Sequence, residues 1–133
     1  MTTTINMDIE CEITGTCENP ALPSWHYAHR PHGITVRAVL ELQLTPDHTD
    51  ADRAVKHTEF RSALQEWAGR MWGQDLNGVM RIPNMSLERM AIWIFDRWAR
   101  HYRDLVAVRL QDSQNPSVWV TYQPTDGKSA TEL

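Results

Sequence analysis

The chain opens on a strict alternation. Ile5, Met7, Ile9, Cys11 and Ile13 are apolar, and Asn6, Asp8, Glu10, Glu12 and Thr14 between them are polar, the period of two that a strand with one buried face requires. After a loop carrying Pro20, Pro23 and Pro31, a second and longer strand is predicted. There Ile34, Val36, Ala38, Leu40, Leu42 and Leu44 alternate with Thr35, Arg37, Glu41 and Gln43,. Cys17 continues the apolar parity of the first strand and His32 that of the second. Side chains at i and i+2 share a face, so pairing the two strands with apolar faces on one side turns Cys17 and His32 toward a shared region at the strand ends.

The period then changes. Pro46 to Asp52 reads as a turn into a helix whose Phe60, Ala63, Leu64, Trp67 and Met71 recur at steps of three and four, with Gly73 placed to stop it,. Ser86 is the expected N-cap of a second helix, with Glu88 in its first turn and Leu87, Met90, Ala91, Ile94 and Trp98 as the buried stripe,. Val106, Val108 and Leu110, then Val118, Val120 and Tyr122, read as a closing strand pair around the turn-rich Asp112 to Pro116,. The order ββααββ predicts an α+β domain over residues 1–124: a four-stranded antiparallel sheet with two helices on one face, followed by a disordered polar tail over 125–133,. Such a sheet has two open edges, which edge-to-edge homo-oligomerisation would remove.

Composition narrows the function classes. Thirteen basic against seventeen acidic residues, without a Lys/Arg run, leave no footprint for nucleic acid or an anionic membrane,. No stretch approaches the roughly 18 apolar residues of a membrane span. The opening MTTTINMDIECEI has no signal-peptide pattern, so a cytoplasmic location is expected, with Cys11 and Cys17 as free thiols,. Trp93 and Trp119 lie off the main apolar stripes and are expected at subunit contacts,.

The anchors at Cys17, His32-Gly33, Glu59-Phe60, Leu76-Asn77, Ser86, Glu88 and Asp112-Ser113, in this order and spacing, resemble 6-pyruvoyl-tetrahydropterin synthase and 6-carboxytetrahydropterin synthase, the tunnelling-fold family. The resemblance runs from about Thr3 to Tyr122. It implies trimers whose sheets join into a barrel, stacking into hexamers, with active sites at subunit interfaces. It also implies a zinc site of three histidines, and at those positions this chain has Cys17, His32 and Ile34. The family's catalytic cysteine falls on Ala28 and its Asp-His pair on Trp72-Gly73, so the ordinary relay is missing,. The glutamate that holds the pterin's amino-pyrimidine edge aligns with Asp112, while Ser86 replaces a threonine and Glu88 is kept.

Several residues therefore have two readings each. A catalytic zinc needs three protein donors. Cys17 and His32 supply two, and zinc is expected only if His29 or His26 swings in as the third. Without metal, His29 or His32 is a candidate general acid or base. Cys17 is a ligand, a nucleophile or a small buried hydrophobe. Asp112 is a ligand anchor or an Asx-turn, Trp72 a stacking wall or a packed helix end, and Glu88 a substrate contact or a helix-dipole partner. The expected function is lyase- or cyclase-type acid/base chemistry on a small planar heterocycle, the alternative being a catalytically silent paralogue that binds a ligand or stabilises a partner.

Overall fold

In the computed structural model, which describes residues 4–44 and 49–124, both alternating segments are strands of thirteen residues, β1 (Ile5–Cys17) and β2 (His32–Leu44). They pair antiparallel along their whole length, with Ile9 opposite Leu40, Ile13 opposite Val36 and Cys17 opposite His32. The apolar parity of both strands thus faces one way, and Ile9, Ile13, Val36, Leu40 and Leu42 are buried in a single core.

Helix α1 (Asp50–Met71) begins in a reciprocal capping box: the Asp52 backbone N–H donates to Thr49 Oγ1 at 3.0 Å, and the Thr49 N–H to Asp52 Oδ2 at 3.2 Å,. Residues 46–48 of the predicted turn lie outside the described residues. Past the helix, Gly73 takes a φ of +74°, open to glycine without strain, and its N–H donates to Thr14 O at 3.1 Å,. That bond returns the chain to the edge of β1.

Here the structure corrects the expected four-stranded antiparallel sheet. Gln74–Asp75 forms a two-residue strand, β3, parallel to Gly15 and Thr16 of β1. The sheet is mixed and five-stranded, in the order β3-β1-β2-β4-β5. A third helix, the five-residue α2 (Leu76–Met80), follows at once. Both elements are too short to leave a period in the sequence. Gly15 makes them possible, since a Cβ there would lie 2.5 Å from Gln74 O and 2.9 Å from Leu76 Cγ.

Helix α3 (Leu87–Ala99) starts where expected, with Ser86 Oγ accepting from the Arg89 N–H at 3.2 Å. Strand β4 (Leu105–Asp112) pairs antiparallel with β2 through an irregularity at Glu41/Leu42, which places Leu105, not Val106, opposite Leu42. Leu105 is accordingly buried while Val106 is only half-buried, a shift of one residue that a β-bulge imposes,. The last strand, β5, is confined to Val120–Tyr122, leaving Val118 in the preceding turn. The predicted tail over 125–133 lies outside the described residues.

The helices supply an aromatic layer over the sheet. Phe60 meets Tyr102 edge-to-face at 4.6 Å, and Trp67 meets Trp98 in the same way at 5.7 Å,. Trp93, expected at a subunit contact, stacks on Trp67 at 6.2 Å. On the opposite face of the sheet, Arg109 bridges Asp8 and Glu41 at 2.8 and 2.7 Å, and Arg37 pairs with Glu10 while lying over Trp119. Among the described residues, no helix is long and apolar enough to cross a membrane.

Candidate functional site

The strand pairing brings Cys17 and His32 face to face, with Sγ 3.7 Å from Nε2. His32 Nδ1 lies 2.9 Å from Arg30 O, and because a carbonyl only accepts, Nδ1 carries the proton,. In the neutral ring Nε2 is then the acceptor and the Cys17 thiol its donor. This proton arrangement follows from the partners each nitrogen has.

Next to the pair, the end of β4 delivers Asp112, opposite Val36 and 9% exposed. Its Oδ1 accepts from the Gln114 N–H at 2.9 Å, and its carbonyl from the Asn115 N–H at 2.9 Å. The Asx-turn offered by the sequence is therefore formed. An ionised carboxylate has about four lone-pair sites, so one such bond leaves capacity for a ligand.

These side chains share a hollow of about 220 Å³. The sheet contributes Cys17, His32, Ile34 and Asp112; the start of α3 contributes Ser86, Leu87 and Met90; the loop after β1 closes it with Asn19, Leu22 and Tyr27. Of the residues singled out from the sequence, Cys17, His32, Asp112 and Ser86 thus come together. Ser86 is at the same time occupied as the α3 cap.

The others lie elsewhere. Glu88 is exposed in the first turn of α3, outside the hollow. Trp72 is 72% exposed and borders a separate open hollow with Glu10, Cys11 and Arg37. His29 Nδ1 donates to Leu22 O at 2.7 Å, and His26 Nδ1 accepts from the Ala28 N–H at 3.1 Å, capping a short 3-10 turn over Tyr27–His29. Neither ring lines the hollow.

The donor set does not fit a catalytic zinc. Among the described residues no three His, Cys, Asp or Glu side chains converge as a metal site, and Ile34, which borders the hollow with Cys17 and His32, is aliphatic and offers no donor,. Burial, then the charges of Asp112 and Asp75, push the Cys17 thiol from its ordinary 9.0 up to about 11. Nucleophilic cysteines sit instead where the thiolate is favoured. Cys17 is held as a thiol.

Asn19, Leu22, Tyr27, Met85 and Asn115, which also line the hollow, were not legible as site residues, since loop side chains carry no periodicity. Asn77 was legible only as a family anchor. Its amide holds the Glu18 peptide from both sides and donates also to Ile82 O at 2.8 Å, fixing the point where the chain leaves β1 for the hollow.

No protein-family model matches the chain, and comparison with curated proteins found no significant match. Among solved structures, 6-pyruvoyl tetrahydropterin synthase from Caenorhabditis elegans superposes with a TM-score of 0.66 at 12% sequence identity, covering 92% of this chain and 97% of that one. Over nearly its whole described length, then, the chain is similar in fold to a pterin synthase, and at this identity the likeness is one of fold.

Proposed function

We propose that the protein is a divergent pterin-synthase-like enzyme performing metal-independent acid/base chemistry, of lyase or cyclase type, on a small planar heterocycle. The observation that carries this reading is the convergence of Asp112 and the Cys17–His32 pair on one hollow. Asp112 accepts ring or exocyclic N–H groups of the ligand, and His32 Nε2 exchanges a proton with it. A volume of about 220 Å³ lies below the roughly 300–1,000 Å³ of sites for drug-sized ligands, which favours one ring or two fused rings,. Homo-oligomers, trimers or hexamers, cover the open ends of the sheet, where the short edges β3 and β5 lie, and the exposed Trp25, Trp72 and Trp119,.

The test is a thermal-shift screen of the purified protein against pterins, purines and other flat heterocycles, followed by turnover assays on each stabilising compound. Asp112→Ala is expected to abolish binding, and His32→Ala to leave binding but remove turnover. Turnover that survives both substitutions would defeat the reading. A catalytically silent, ligand-binding paralogue is the second reading, favoured by the thiol state of Cys17 and by Ser86 and His29 being already engaged. It predicts stabilisation without turnover, or stabilisation by a partner protein alone.

A further inference from the structure

The walls of the hollow carry charge of one sign. Glu18 and Asp112 are its carboxylates, and among the described residues no Lys or Arg lines it. The rest of its polar lining consists of amides, hydroxyls and the His32 ring. Asp75 adds a third carboxylate close by, and its charge together with that of Asp112 helps to hold the Cys17 proton in place.

One local feature opposes this field. Helix α3 starts at the wall, and a helix N-terminus carries partial positive charge and N–H groups that suit an anion. That pole is already answered within the chain, because Ser86 Oγ takes the Arg89 N–H and Glu88 occupies the first turn,. An anionic ligand group would therefore enter beside carboxylates with no Lys or Arg of the described residues to meet it, whereas N–H donors would find several acceptors.

We propose that the hollow admits neutral or cationic heterocycles rich in N–H donors and rejects phosphorylated or carboxylated ones. The proposal rests on the reading of this hollow as a site for planar heterocycles and adds the charge class of the ligand. It separates this chain from any enzyme that must grip a phosphate tail, for which clustered Lys or Arg is the usual solution.

The experiment is isothermal titration calorimetry of the intact protein with matched probes. Uracil is compared with orotate, which is the same ring bearing a carboxylate, and pyridoxamine with pyridoxamine phosphate. The unphosphorylated or uncarboxylated member of each pair is expected to bind at least tenfold more tightly, with the gap narrowing at high salt and in Glu18→Gln. Equal or tighter binding of orotate or of the phosphate overturns the proposal and leaves the heterocycle site standing. If no member of either pair binds, this proposal and the reading beneath it fall together.

Discussion

Asn77 clamps Glu18 across its peptide: Oδ1 accepts from the Glu18 N–H and Nδ2 donates to Glu18 O, both at 2.8 Å. The side chain thus behaves as a one-residue strand, extending the ladder of β1 past Cys17 and fixing the rim of the hollow. Asn77→Ala would strand these groups, together with the Ile82 carbonyl, in a partly buried place. A loss of about 2–3 kcal/mol is expected, the cost of leaving such polar groups unsatisfied. Urea unfolding measures it, and a loss below about 1 kcal/mol would mean that water replaces the clamp at little cost.

Gly15→Ala tests the parallel β3 contact. The added methyl would sit 2.5 Å from a backbone carbonyl, which cannot turn aside as a side chain can. Overpacking of this kind costs about 1–3 kcal/mol, and β3 is held at only two register positions,. We expect the strain to be relieved by detaching β3, seen as faster amide exchange at Gln74 and Asp75 than at Ile13. Unchanged exchange with unchanged stability would contradict the close approach.

The two long strands were legible because β1 and β2 bury one face and keep strict parity over thirteen residues each, and that parity also put Cys17 beside His32. The end of Asp112 in a turn was legible from composition. What escaped has physical reasons. A bulge at Glu41/Leu42 exchanges Leu105 for Val106 without altering the apolar pattern. Strand β3 and helix α2 are shorter than their own periods of evidence. Trp72 sits after the last turn of α1, where Gly73 redirects the backbone, so its distance from the hollow depends on a dihedral angle and not on residue type.

Both buried thiols make alkaline pH unfavourable. Burial, with Glu12, pushes Cys11 from 9.0 up to about 12, and burial, with Asp112 and Asp75, pushes Cys17 to about 11. Above about pH 9 the unfolded chain loses these protons while the folded chain keeps them, so the unfolded state binds fewer protons and stability falls as pH rises. Below that pH both states hold the protons and the effect is absent. Each thiol can contribute a slope of up to about 1.4 kcal/mol per pH unit until its folded-state value is reached. Thermal unfolding between pH 7 and pH 10.5 should show the decline, and Cys17→Ala should flatten it relative to the unsubstituted chain. An identical slope in the variant would place the titrating group elsewhere.

The missing third donor gives the sharpest test of the metal question. A zinc with bonds of about 2.3 Å to sulfur and 2.0 Å to nitrogen in tetrahedral geometry sets the two donors roughly 3.5 Å apart. Cys17 and His32, at 3.7 Å, are already near that spacing. Ile34 shares the face of His32 two residues along β2 and borders the same hollow, opposite a glycine that offers no side chain of its own. Ile34→His therefore adds the imidazole where the other two donors can be met. The unsubstituted chain is expected to show no stabilisation by added zinc, because two donors and a thiol held protonated bind it weakly. In the variant, free zinc at a hundred times its dissociation constant should stabilise by about 2.7 kcal/mol and raise Tm by several degrees, reversibly with chelator. An equal gain in the unsubstituted chain would require His26 or His29 to leave its backbone partner and reach the pair, and Leu22 and Ala28 would then lose the bonds that hold those rings in place.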